Sequence, residues 1–155
     1  MNEIPSKYFI TKGIGESDTS HLNAFDRALM NAGIAQCNLV GVSSILPKNA
    51  KRIEFQKIEP GAITFVVLAK RSGGAGDQIS AGVGIAETGN GVHNMIAETS
   101  ENETAHEIRE RLRSSLHEMA DARGMTIQDI QYEISTLKVQ KKYGAAVAAV
   151  VLLPK

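Results

Sequence analysis

Ser43 and Ser44 close an apolar run, Asn38-Leu39-Val40-Gly41-Val42-Ser43-Ser44-Ile45-Leu46-Pro47, and are the residues whose types and spacing point most directly to chemistry. A β-branched strand that ends in two adjacent hydroxyls before a proline places a nucleophile beside a peptide carbonyl at the point where regular pairing stops. Such a stretch can carry out chemistry on its own backbone. The same dipeptide also suits a plain turn whose hydroxyls satisfy loose backbone groups, so the pair needs its surroundings to be interpreted.

Three further polar side chains stand in or beside apolar segments. Asn38 opens the same run, Glu98 closes the apolar stretch Met95-Ile96-Ala97-Glu98, and Asp26 lies on the segment Leu22 to Ile34 beside its apolar stripe. Each has an ordinary reading: Asn38 capping strand-end backbone groups, Glu98 ending a strand in solvent, and Asp26 as a helix acid loosely paired with a nearby base.

Other signals carry less. His21, His93, His106 and His117 include no pair at helical or finger-like ligand spacing, so no metal site is expected. Gly82-Val83-Gly84 and Gly89-Asn90-Gly91 lack the full phosphate-loop fingerprint. Cys37 abuts the serine strand but reads as a small core residue, and the basic tract Lys138 to Lys142 reads as a solvated turn.

The elements that must position these residues follow from the pattern of apolar and turn residues. Lys7 to Gly15 reads as a strand, and Ser20 as the N-cap of a helix with Leu22, Phe25, Leu29 and Ala32 on its apolar face and Gly33 at its stop. Asn38 to Val42 reads as a short buried strand, Lys48 to Glu59 as a charged excursion, and Ala62 to Ala69 as a central strand. Arg71 to Gln78 reads as a glycine-rich connecting loop. Ile79 to Ala86 and Val92 to Glu98 flank the hairpin signal Asn90-Gly91. Glu103 to Arg123 is a helix with Ile108, Leu112, Leu116 and Met119 on one face, and Ile127 to Val139 and Ala145 to Leu153 close the chain as strands. Two helices and six or seven strands define an α+β layered fold, with no linker in 155 residues to suggest more than one domain.

Composition narrows the partners. The 17 basic and 17 acidic side chains are interspersed and cancel, so nucleic acid and anionic membranes are not expected partners. No apolar run approaches the length of a membrane span, and the single Cys37 with no leading basic-then-apolar segment points to a reducing cytoplasm. Aromatic residues make up 5% of the chain while glycine numbers 14, so close backbone approach must fill part of the interior.

The ordered set of Leu22 to Ile34, Asn38 to Pro47 and Met95 to Glu98 resembles the pyruvoyl-dependent arginine decarboxylases across most of the chain. The resemblance implies a four-layer αββα sandwich in one domain spanning 1–155. It also implies self-cleavage between Ser43 and Ser44 into 1–43 and 44–155, with a covalent pyruvoyl group made from Ser44 as cofactor. Ser44, Ser43, Glu98 and Asn38 would be catalytic, and Asp26 and Ile45 would bind substrate. The substrate would be L-arginine, held as a Schiff base on the pyruvoyl group and released as agmatine for polyamine synthesis. The assembly implied is a trimer or a dimer of trimers, with the Asp26 helix across a subunit boundary from the pyruvoyl group. Two other readings stay open: a pyruvoyl decarboxylase for a different amino acid, and an uncut oligomeric homologue that binds a small molecule.

Overall fold

In the computed structural model, which describes residues 3–155, the chain opens with a strand and a helix that touch backbone to backbone; Met1 and Asn2, the first two residues of the expected 1–43 segment, lie outside the described residues. The strand is β1 (Lys7–Ser17) and the helix α1 (His21–Ala32). The Ser20 hydroxyl accepts from the Asn23 amide at 3.0 Å, and Gly33, at φ 81°, lets the chain reverse and cap the last turn. A Cβ at Gly13 would lie 2.2 Å from the Ala28 carbonyl oxygen, and one at Gly15 would lie 2.4 Å from that of Ala24. The helix therefore buries its smallest residues, Ala24, Ala28 and Ala32. This corrects the expected stripe: Leu22 is 74% exposed, while Phe25 and Leu29 are half-buried, because contact with two glycines favours the alanine face over the bulky one.

The remaining elements are β2 (Asn38–Gly41), β3 (Ile45–Pro47), β4 (Lys51–Arg52), β5 (Ile63–Gly74), β6 (Gln78–Thr88), β7 (His93–Glu101), α2 (Ala105–Ala122), β8 (Ile127–Lys138) and β9 (Tyr143–Leu153). One sheet has the order β2-β5-β9-β1-β4, the other β3-β7-β6-β8. The two sheets pack face to face through Val67, Ile79, Val83, Ile85, Ile96 and Val150, among others. α1 covers the outer face of the first sheet, and α2 covers the second through Ile108, Leu112 and Leu116. The result is the four-layer αββα sandwich of the α+β class. Gly82 and Gly84 make room for α2 in the same way that Gly13 and Gly15 do for α1, since a Cβ at Gly82 would lie 2.8 Å from the Ile108 Cγ2.

Several boundaries differ from the sequence expectation. Among the described residues there are nine strands, and β3 and β4, three and two residues long, are too short to show any periodicity. The expected loop Arg71 to Gln78 shrinks to Ala75–Asp77, with Gly73 and Gly74 inside β5: a Cβ at Gly73 would meet the Ile79 Cγ2 at 2.7 Å, so this glycine serves packing. β2 is an edge strand with Asn38, Val40 and Gly41 exposed, and β9 rather than β5 is the middle strand of its sheet. β7 continues past Glu98 to Glu101. Among the described residues no helix is long and apolar enough to cross a membrane.

Candidate active site

The Ser43-Ser44 pair sits where the chain changes sheets. β2 runs parallel to β5, and the last bond on that side is from the Val42 amide to the Val66 carbonyl at 2.9 Å. The next is made in the other sheet, where the Ile96 amide donates to the Ser44 carbonyl at 2.8 Å, followed by β3 pairing antiparallel to β7. Between them, the Ser43 amide and carbonyl and the Ser44 amide make no backbone hydrogen bond among the described residues. The peptide linking the two serines is thus pinned on both sides by different sheets and unbound itself. Ser43 is exposed and Ser44 half-buried. Gly41, which could have relieved crowding at this junction, has open space at its Cβ position and needs no left-handed φ.

Two clefts flank the junction and share Val42 as a wall. The first, about 490 Å³, is lined by apolar side chains that include Phe25, Leu29 and Leu68, with Asn38, Lys70 and Glu98 as its polar side chains. A mostly apolar concavity with a few convergent polar groups is the usual form of a small-molecule site. The second, also about 490 Å³, is bordered by Ser43, Ile45, Pro47 and Phe65. The fold thus brings Asn38 and Glu98 together on one side of the junction and Ile45 to the other.

Glu98 reaches the first cleft from β7, where it pairs with Val83 of β6. Glu98 is exposed at the mouth of the cleft, yet the desolvation of its inner part pushes its carboxyl above the ordinary glutamate range. That favours a carboxyl that keeps or returns a proton. Asn38 is engaged: its side-chain nitrogen donates to the Gly61 carbonyl at 2.9 Å, which fixes the amide and leaves its Oδ1 and second N–H for other partners. Asp26 lines neither cleft of this protomer. It stands exposed on α1, one residue from Phe25, which does.

Comparison with known proteins follows the same outline. The sequence profile of the family described as pyruvoyl-dependent arginine decarboxylase matches residues 7–155. This chain belongs to that family. A pyruvoyl-dependent arginine decarboxylase of Methanothermobacter thermautotrophicus is 41% identical over 151 residues, covering 97% of this chain and 98% of that one. One from Methanopyrus kandleri is 40% identical over 149 residues, covering 96% and 97%. One from Picrophilus torridus is 49% identical over 76 residues, covering 46% of this chain and 41% of the other. The family name implies a covalently bound pyruvoyl group as cofactor.

For a member of the pyruvoyl-dependent arginine decarboxylases, the cleft holds one side chain that sequence reasoning passed over. Lys70 places its ammonium 5.3 Å from the centre of the Phe25 ring and contributes the cleft's cationic side chain. Its signal is present in outline, as the first of two charges, Lys70-Arg71, directly after the apolar run Ala62 to Ala69. Cys37 also lines the cleft, its thiol donating to the Ile34 carbonyl at 3.3 Å.

Proposed function

We propose that this chain cuts itself between Ser43 and Ser44 and that the processed protein converts L-arginine to agmatine and carbon dioxide. The observation that carries the reading is the unbound Ser43-Ser44 peptide held between two sheets beside a cleft containing Asn38 and Glu98. An amide must bend out of plane before it can become an ester, and a peptide anchored on both flanks yet free of hydrogen bonds suits that step. The Ser44 Oγ attacks the Ser43 carbonyl, and the acyl group moves from nitrogen to oxygen. Loss of the Ser44 α-proton then expels the Ser43 carboxylate and leaves dehydroalanine at position 44. Water replaces its nitrogen, which departs as ammonia, and gives a pyruvoyl terminus. When present, that group supplies a ketone to capture the substrate amine and a conjugated carbonyl to accept the electron pair left by carbon dioxide.

The side chains of the cleft divide the remaining work. Glu98, its carboxyl held toward the protonated form by burial, returns a proton to the substrate α-carbon. Asn38, oriented by Gly61, offers its free amide hydrogen to a carbonyl oxygen at the junction. Asp26 takes the guanidinium. Asp26 lines neither cleft of its own protomer, which supports a site completed between copies of the chain, in a trimer or dimer of trimers. Ile45 and Phe65, 40% and 38% exposed beside the junction, and Ile63 at 72%, supply apolar surface for such an assembly.

The test is the intact mass of denatured protein. Two chains, 1–43 and 44–155, with the longer resistant to Edman degradation, are expected from wild type, together with agmatine formation from arginine. A Ser44→Ala protein that still divides at this bond would overturn the reading. A single intact wild-type chain that binds but does not turn over an amino acid would point instead to an uncut binding homologue.

A further inference from the structure

Cutting the Ser43-Ser44 bond would release residue 44 from its covalent hold on the first sheet, and what keeps it in place afterwards is the question raised by this geometry. On the far side of the junction, β3 is only three residues long and lies at the edge of its sheet. Apart from the bond from the Ile96 amide to the Ser44 carbonyl and the burial of Leu46, little pairing is left there to hold a free chain end. Immediately after β3, the chain turns, with the Ala50 amide donating to the Pro47 carbonyl at 3.1 Å. At the head of that turn the Lys48 ammonium reaches across to Thr88 at the end of β6, donating to its carbonyl and, at 3.3 Å, to its hydroxyl.

Thr88 is a rigid receiver. It is 1% exposed, its amide donates to the Asn94 Oδ1 at 3.0 Å, and its hydroxyl donates to the His93 carbonyl at 2.8 Å. Asn94 and His93 are the residues of β7 that pair with Leu46 and Pro47 of β3. Lys48 and β3 thus grip the same corner, the β6–β7 turn, by two routes. Gly91 keeps this corner tight, since a Cβ there would lie 2.5 Å from the Thr88 hydroxyl.

We infer that Lys48 is a positioning residue: its ammonium, clamped on Thr88, fixes the new chain end of the processed protein so that residue 44 stays beside the Asn38–Glu98 cleft. This rests on the self-cleavage proposed above. It acts through the backbone of residues 44 to 47 and touches no reacting atom. Before the cut, the continuous chain through Val42 does the same holding, so the clamp matters only afterwards.

That dependence sets the experiment. Lys48→Met and Lys48→Arg are made in the wild-type chain, and Lys48→Met also in the uncut Ser44→Ala chain; each is followed by intact mass, hydrogen exchange at the amides of Ile45 and Leu46, and arginine kinetics where cleaved. In the cleaved Lys48→Met protein, exchange at Ile45 and Leu46 should quicken and kcat should fall about tenfold, the scale of a small misplacement of a reacting group, with KM within about twofold. Lys48→Arg should restore most of the rate, and the uncut background should show little change in exchange on loss of Lys48. A cleaved Lys48→Met protein with wild-type exchange and kcat overturns the clamp alone. Equal loosening in cut and uncut backgrounds overturns it too, as that marks general stability. A wild-type protein that remains one chain overturns the processing reading and this inference with it.

Discussion

Gly15→Ala puts a single methyl group where the fold has none to spare, and its effect should reach the cleft through α1. The new Cβ would lie 2.4 Å from both the Ala24 carbonyl oxygen and the Ala28 amide nitrogen, where ordinary van der Waals contact begins at 3.4 Å. Both obstacles are helix backbone, so no side chain can rotate away and α1 must retreat from β1 by about 1 Å, the difference of those two distances. Overpacking of this kind costs about 1–3 kcal/mol. For a domain of this size each kcal/mol lowers Tm by roughly 2–4 °C. α1 also carries Phe25 and Leu29 of the cleft wall, and a 1 Å misplacement there can cost up to about a hundredfold in turnover. Self-cleavage should survive, because the junction hangs from β2 and β7, not from α1. Thermal unfolding, intact mass and arginine kinetics measure the three effects separately. Gly41→Ala is the matched control: with nothing within 4 Å of its Cβ position it should melt and cleave as wild type does. A Gly15→Ala protein with wild-type Tm and turnover would refute the close-approach argument.

Glu98→Gln, once cleaved, should lose about a hundredfold in decarboxylation, the scale of a positioned proton donor; full activity would return Glu98 to an ordinary strand position. Its stability should also separate from wild type with pH. Burial raises the folded-state pKa of Glu98 above its usual 4.5, so the folded form holds more protons than the unfolded between the two values. The stability this contributes is full below 4.5 and lost as pH rises through the folded pKa, so unfolding curves should shift in favour of Glu98→Gln over that window, and a constant offset across pH would count against it. Asp26→Asn should leave self-cleavage intact but raise the KM for arginine by about thirtyfold or more, corresponding to roughly 2 kcal/mol, and weaken discrimination against citrulline; an unchanged KM would make Asp26 a plain helix acid.

The parts of this molecule that repeat were legible in the chain; the parts that depend on a neighbour were not. α2 could be placed from Ile108, Leu112 and Leu116, and the β6–β7 turn from Asn90-Gly91, because helical period and turn chemistry are local properties. The buried face of α1 could not, because it is chosen by Gly13 and Gly15 of another element. Likewise Gly73 and Gly74 read as loop residues, yet β5 holds both within a strand, and at Gly73 a Cβ would collide with Ile79. At the site, Ser43-Ser44 is legible by type and Asn38 and Glu98 through the family resemblance, whereas Lys70 enters the cleft only once β5 is laid beneath Phe25. The change of sheet between Val42 and Ser44 has no sequence signature beyond the proline that follows.

That change of sheet also bears on when the chain can be cut. β1 pairs with β9 over every residue from Lys7 to Ser17 and with β4 on its other side, so the first 43 residues supply a strand from within the sheet and the helix above it. A break at the crossover severs no strand and removes no pairing, and the native body would stay whole. Unfolding it would be another matter. What began as one chain closing on itself would become two polypeptides that must first meet, and recovery would depend on their concentration, whereas the uncut chain carries both partners at a fixed local concentration. On the proposed processing, folding would come before cutting, and the cleaved protein would draw its durability from the height of the barrier to opening rather than from an ability to reassemble.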